Sequence, residues 1–133
     1  MSACVSDTHA TIWYLLDRPL LSPAASAALD AAEQAEAPIY IPSITLVEIT
    51  YLVERGRLPL NAWDILADAL DDSRRVLTLA PLDLAVARAL QSIPRDEVPD
   101  MPDRIIAATA VALGLPLVTR DSRIRLTSIQ TVW

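Results

Sequence analysis

Apolar positions along this chain fall into two alternating patterns: short, nearly continuous runs, and longer stretches with helical spacing. The first run, residues 2–6, reads as a buried strand that ends on Asp7, the only charge before Asp17. Residues 8–16 follow with helical spacing, placing Ile12, Leu15 and Leu16 in the core. Ser22-Pro23 is a helix-start signal for a helix reaching about residue 35. Residues 37–41 read as a strand, with Ile39 and Ile41 alternating with Tyr40. Pro42-Ser43 then opens a helix over 44–55, with Ser43 as its cap and Gly56 as its stop. Residues 61–71 form an amphipathic helix, 76–80 a strand, and Pro81 starts a helix to about residue 93. An acidic, proline-rich loop (94–99) leads to the most informative segment, and a strand over 129–133 closes the chain after a polar turn holding Arg123 and Arg125.

That segment is VPDMPDRIIAATAVALGLPLVTRD, residues 98–121. Asp100 suits a helix cap, with Pro102 in the first turn; Gly114 ends the helix and Pro116 prevents its resumption. Between Arg104 and Arg120 no side chain is charged, the mark of a buried helix and a short strand at 117–119. A helix from Asp103 to Leu113 advances about 15 Å. An extended return covers about 13 Å. If the two elements run antiparallel, Asp121 comes back beside Asp103. Alternation of strands and helices predicts an α/β fold with a parallel sheet, in which ligands gather beyond the carboxyl ends of the strands. Asp7 and Asp121 directly follow strands, Asp103 begins the helix feeding one, and Glu48 lies one turn into the helix after another. Glu48 is the only charge between Ala37 and Val53, and Ile44, Tyr51 and Leu52 put it on an apolar face. A carboxylate so placed is costly unless paired or bound to a cation.

Composition narrows the chemistry. The 133 residues are taken as one domain, 1–133, large enough for a real core. No apolar run is long enough to span a bilayer, no leader pattern is apparent, and the lone Cys4 excludes an internal disulfide, which fits a cytoplasmic protein. The net charge of −6 disfavours non-specific duplex binding through a basic surface, yet leaves open a nucleic-acid substrate bridged by metal ions. All eleven basic side chains are arginine. The absence of lysine weighs against aspartate-based phosphoryl transfer, a rival reading that also sets acidic groups at strand ends. A non-catalytic binding module is the other alternative, against which the retention of all four carboxylates counts.

Four clustered carboxylates must take up protons or cations, since two like charges about 4 Å apart cost on the order of 4 kcal/mol at an effective dielectric of 20. Hard oxygen ligands suit Mg²⁺ or Mn²⁺, and such ions activate water for phosphodiester cleavage without a general-base histidine. His9, the only histidine, is accordingly given a supporting role. Asp7 and Asp100 each have a plain alternative as helix caps, and Asp103 as a first-turn acid facing the helix dipole. Thr119 and Ser43 are candidate hydrogen-bonding supports. Arg104, Arg120, Arg123 and Arg125 are candidate phosphate contacts, each equally readable as a solvated charge. Trp13, Tyr14, Tyr51 and Trp63 read as core or interface before base-stacking platforms.

The segments VSDTHATIWYL around Asp7, SITLVEI around Glu48, DMPDRIIAATA around Asp103 and GLPLVTRD around Asp121 together resemble the PIN-domain ribonucleases, specifically the VapC-type toxins of toxin–antitoxin pairs. The resemblance runs over essentially the whole chain. It implies an α/β/α sandwich around a parallel sheet, a Mg²⁺- or Mn²⁺-dependent endoribonuclease, frequent homodimers, and inhibition by a cognate VapB-type antitoxin whose tail enters the acidic groove. By match it makes Asp7, Glu48, Asp103 and Asp121 the catalytic, metal-binding quartet, with Asp100 where some relatives carry a further acid.

Overall fold

The computed structural model describes residues 2–133; Met1 lies outside them. Five strands, β1 (Cys4–Ser6), β2 (Ile39–Pro42), β3 (Leu77–Ala80), β4 (Leu117–Val118) and β5 (Thr131–Val132), form one sheet in the order β3-β2-β1-β4-β5. Every pairing is parallel. The strands are shorter than the apolar runs that predict them: pairing begins at Cys4 rather than residue 2, and the last strand keeps only two residues.

Among the described residues, seven α-helices connect or follow these strands: α1 (Thr8–Leu16), α2 (Pro23–Gln34), α3 (Ile44–Glu54), α4 (Ala62–Asp71), α5 (Leu84–Leu90), α6 (Met101–Leu113) and α7 (Ser122–Arg125). Side chains alternate across the sheet. Cys4, Ile39, Ile41, Leu77 and Val118 join a core with residues of α1, α2 and α4. Val5 and Leu117 face the other way, into a core with Ile105, Ile106 and Ala108 of α6 and Val86 of α5. The layers are therefore helix, sheet, helix, the predicted α/β/α sandwich.

Several local expectations change. The helix predicted from Pro81 starts at Leu84, because Asp83 accepts the Val86 N–H (3.0 Å) and sets the first turn there; it ends at Leu90. Ser43 does not cap α3: its hydroxyl instead accepts the Leu82 N–H (3.1 Å), tying the end of β3 to the start of α3. Leu16, predicted in the core, is 36% exposed, and the last turn of α6 leaves Val111 and Leu113 exposed. The turn holding Arg123 and Arg125 is the short helix α7. Tyr14 is buried, whereas Tyr51 and Trp63 are exposed. No helix among the described residues is long and apolar enough to cross a membrane.

The strand order decides where a ligand site lies. From β1 the chain builds outward through β2 to β3, then returns to the other side of β1 to lay down β4 and β5. The reversal falls between β1 and β4, and a crevice opens beyond the carboxyl ends of strands at such a point. Asp7 follows β1, Thr119 follows β4, and the Asp7 N–H bonds the Val118 carbonyl (3.1 Å), holding the two strand ends together.

Candidate active site

Three helices begin at this crevice, and an aspartate caps each. Asp7 Oδ1 accepts the Ala10 N–H (2.8 Å) at the start of α1. Asp121 Oδ1 accepts the Ile124 N–H (2.9 Å) at the start of α7. Asp100 Oδ2 accepts the Asp103 N–H (3.1 Å) at the start of α6, whose first turn carries Asp103. Each capping carboxylate thus commits one oxygen to a helix N-terminus and keeps the other uncommitted to a cap. Asp7 and Asp100 are helix caps, as their plain alternative predicts, and with the capping Asp121 they stand together at the crevice.

Thr119 joins two of these acids. Fully buried, its hydroxyl oxygen accepts the Asp121 N–H (3.0 Å), while the hydroxyl hydrogen-bonds the Asp7 carboxyl and pulls its pKa down. Burial nevertheless dominates, leaving the Asp7 pKa above the usual carboxylate range, with the Asp121 charge adding to the rise. Glu48 reaches in from α3. Its Oε1 accepts the Thr8 hydroxyl (2.5 Å), and Thr8 is paired with the Thr45 hydroxyl (3.0 Å). Desolvation raises the Glu48 pKa, opposed by the Thr8 bond, and Asp100 and Asp7 push it further up. Asp103 is the most perturbed: burial, then the charges of Asp100, Asp121 and Glu48, and a hydrogen bond with Asp121 push its pKa up to about 8. The return of α6 through β4 brings Asp121 to Asp103, as the helix-and-strand geometry predicts.

No arginine neutralises this group. The ion pairs among the described residues are Arg18–Asp30, Arg74–Asp72 and Arg75–Glu33, none at the site. Arg104, a candidate phosphate contact, donates instead to the carbonyls of Ile93 (2.9 Å) and Leu90 (3.1 Å), bracing the 94–99 loop against α6. Arg120 lies over the Trp13 ring, 4.7 Å from its centroid. Ser43 is turned to Leu82, not to the acids. The face around Glu48 is a cleft, not core: a space of about 400 Å³ lined by His9, Ile44, Tyr51, Arg55, Asp100 and Met101 among others. Exposed Tyr51 and Met101 stand on its wall. Sequence reasoning missed Thr8 and Thr45, whose pairing is visible only once α1 and α3 are packed together; Thr8's place beside Asp7 was its one local signal.

A divalent cation fits this donor set by its chemistry. The groups are hard carboxylate oxygens, partly desolvated, mutually repelling and without an ion-pair partner, a combination that a Mg²⁺-sized ion relieves. Among the described residues, no three acidic, histidine or cysteine side chains are already closed into a coordination sphere. The carboxylates are electrostatic neighbours, held at their separations by the caps and the Thr8 and Thr119 hydroxyls.

Known proteins are similar to this chain over nearly its full length. Residues 4–129 match the family model described as the PIN domain. Ribonuclease VapC22 of Mycobacterium tuberculosis is 30% identical over 129 residues, covering 94% of this chain and 92% of its own. Among solved structures, VapBC2 from Rickettsia felis, crystallised with a DNA fragment from its promoter, superposes with a TM-score of 0.71 at 19% identity, covering 97% of this chain and 96% of that one. FitAcB from Neisseria gonorrhoeae superposes with a TM-score of 0.61 at 25% identity, over 96% and 95% of the two chains. With a family model over residues 4–129 and a relative 30% identical over 94% of its length, this chain belongs to the PIN domain family, among its VapC-type ribonucleases.

Proposed function

We propose that the protein is an endoribonuclease toxin in which Asp7, Glu48, Asp103 and Asp121 together hold Mg²⁺, with Mn²⁺ as a working substitute. The observation that carries this reading is the set of carboxylates at the β1–β4 crevice, with Asp7, Glu48 and Asp103 raised in pKa and no ion-pair partner for the set among the described residues. A bound Mg²⁺ supplies Lewis acidity to a phosphoryl oxygen and lowers the pKa of a water. The chain's own residues prepare the site. Thr119 orients Asp7 and Asp121, Thr8 orients Glu48, and Asp103 holds a proton toward Asp121. Asp100 adds negative charge from the mouth of the cleft.

The substrate is RNA and the site of action the cytoplasm. By its likeness to VapBC2, the chain pairs with a VapB-type antitoxin, and its membership of the family extends the proposal to a homodimer. The deciding experiment is cleavage of RNA by purified, antitoxin-free protein with Mg²⁺. Cleavage is expected in wild type and lost in Asp7→Asn, a change that keeps a good helix cap for α1. Equal cleavage by Asp7→Asn, or none by wild type on any RNA class, overturns the reading.

A further inference from the structure

A pool of unneutralised carboxylates repels the phosphate backbone of its own substrate, and the chain's net charge of −6 offers no general attraction. Local cations must hold the strand. Four arginines are seated on aromatic rings. Two of them, Arg18 and Arg75, share the Tyr14 ring and are ion-paired with Asp30 and Glu33. The other two, Arg55 over Tyr51 (5.8 Å) and Arg120 over Trp13 (4.7 Å), are in none of the ion pairs among the described residues. Both are exposed.

These two unpaired arginines flank the acids. Glu48 and Tyr51 on α3 and Arg55 at its C-cap follow at one-turn spacing, and all line the cleft of about 400 Å³. His9 lines the same cleft and packs on Trp13 (centroids 5.5 Å apart), which carries Arg120; Arg120 in turn precedes Asp121 in the chain. The surface order is Arg55, Tyr51, Glu48, His9, Trp13, Arg120. A planar guanidinium resting on a ring is pre-organised for phosphate, and little freedom is left to lose on binding.

We infer that Arg55 and Arg120 hold RNA phosphates on opposite sides of the scissile one, so that a single strand runs from the Tyr51 wall across the carboxylates to Trp13. This rests on the ribonuclease reading for its substrate and adds the residues that bind it. The occupant is single-stranded RNA because the cleft is continuous with Glu48 and Asp100 at the site and ends in an unpaired guanidinium.

The test is fluorescence anisotropy of a labelled single-stranded RNA of about 12 nucleotides, within the site sizes of single-strand binders. It is measured over a salt series with Ca²⁺ replacing Mg²⁺, alongside KM and kcat for cleavage with Mg²⁺. Arg55→Ala and Arg120→Ala are each expected to weaken binding roughly fivefold and to flatten the logarithmic salt dependence by about 0.7, the share of one phosphate on a single strand. KM should rise while kcat stays within about threefold, and the Lys variants should recover the salt slope, since each restores one charge. RNA shortened on one side of the cut should make one of the two Ala variants silent, and shortening on the other side the other. Unchanged slopes in both Ala variants overturn the inference while leaving the ribonuclease reading intact. So does a change of oligomeric state by light scattering in Arg55→Ala with RNA binding unaltered, which makes the Tyr51 wall a protein interface. Binding without cleavage in wild type overturns the ribonuclease reading, and the slopes still decide the track.

Discussion

Asp103 hydrogen-bonds Asp121 across eighteen positions of chain, and the pair retains a proton that an isolated carboxyl would lose: Asp103 is pushed up to about 8. The sign of the consequence follows from linkage. A carboxyl whose folded pKa exceeds its unfolded value of 3.8 stabilises the fold while protonated. That stabilisation is complete below about pH 4 and lost as pH rises through about 8. Asp7 and Glu48, also raised, act in the same direction. Metal-free protein in EDTA should therefore melt at a lower temperature at pH 8 than at pH 5, and Asp103→Asn should flatten the difference. A melting temperature that climbs over this interval would count against the shared proton.

The same proton must leave when a cation arrives. Mn²⁺ affinity should increase with pH up to about 8, and binding near pH 7 should release protons, detectable by calorimetry in buffers of different ionisation enthalpy. No dependence of the apparent heat on the buffer would mean that Asp103 does not give up a proton to the ion.

Glu48→Gln separates charge from hydrogen bonding, because the amide oxygen can still accept from Thr8. Without metal, this variant should melt higher than wild type, since it removes a desolvated charge repelled by Asp100 and Asp7. With Mn²⁺ at about 100 times its Kd, wild type gains roughly 2.7 kcal/mol, or about 10 °C for a chain of this size. The variant should lose most of that gain. An equal metal-induced rise in both proteins removes Glu48 from the ligand set.

Thr119→Val keeps the volume of a fully buried side chain and removes the bridge between Asp7 and Asp121. Its cost should be about 1–3 kcal/mol in urea denaturation, with Thr119→Ser close to wild type. The variant should also bind Mn²⁺ more weakly at neutral pH, because Asp7 loses the bond that favours its charged form. Full stability in the Val variant would show that the hydroxyl contributes only volume.

What could be read from the chain, and what could not, divides along local and non-local lines. The α6–β4 unit was legible because its signals are adjacent: the Asp100 cap, Pro102, and Gly114 in the left-handed conformation (φ 65°) followed by Pro116. From these the meeting of Asp103 and Asp121 follows by length alone. Alternating elements predict a parallel sheet but not its order, and the reversal between β1 and β4 comes from long-range packing. Ser43 looks like a cap because a serine there usually is one; it is instead bonded to Leu82, thirty-nine residues away. Tyr51 has helical spacing from Glu48, yet periodicity does not distinguish the wall of a cleft from a core. The arginines were least legible, since their roles depend on partners the sequence leaves far apart.

Arg104 makes the last point testable. Near the acids in sequence, it is fastened to the carbonyls of Leu90 and Ile93, and so holds the loop that carries Asp100 to the site. Arg104→Met keeps the apolar stem and leaves both carbonyls without this partner, at an expected cost of about 1–3 kcal/mol. Lysine cannot reproduce the two-pronged bond and should rescue little of it. The salt dependence of RNA binding should remain that of wild type, in contrast to Arg120→Ala. A flattened salt slope in Arg104→Met with stability unchanged would reassign this guanidinium from the fold to the substrate.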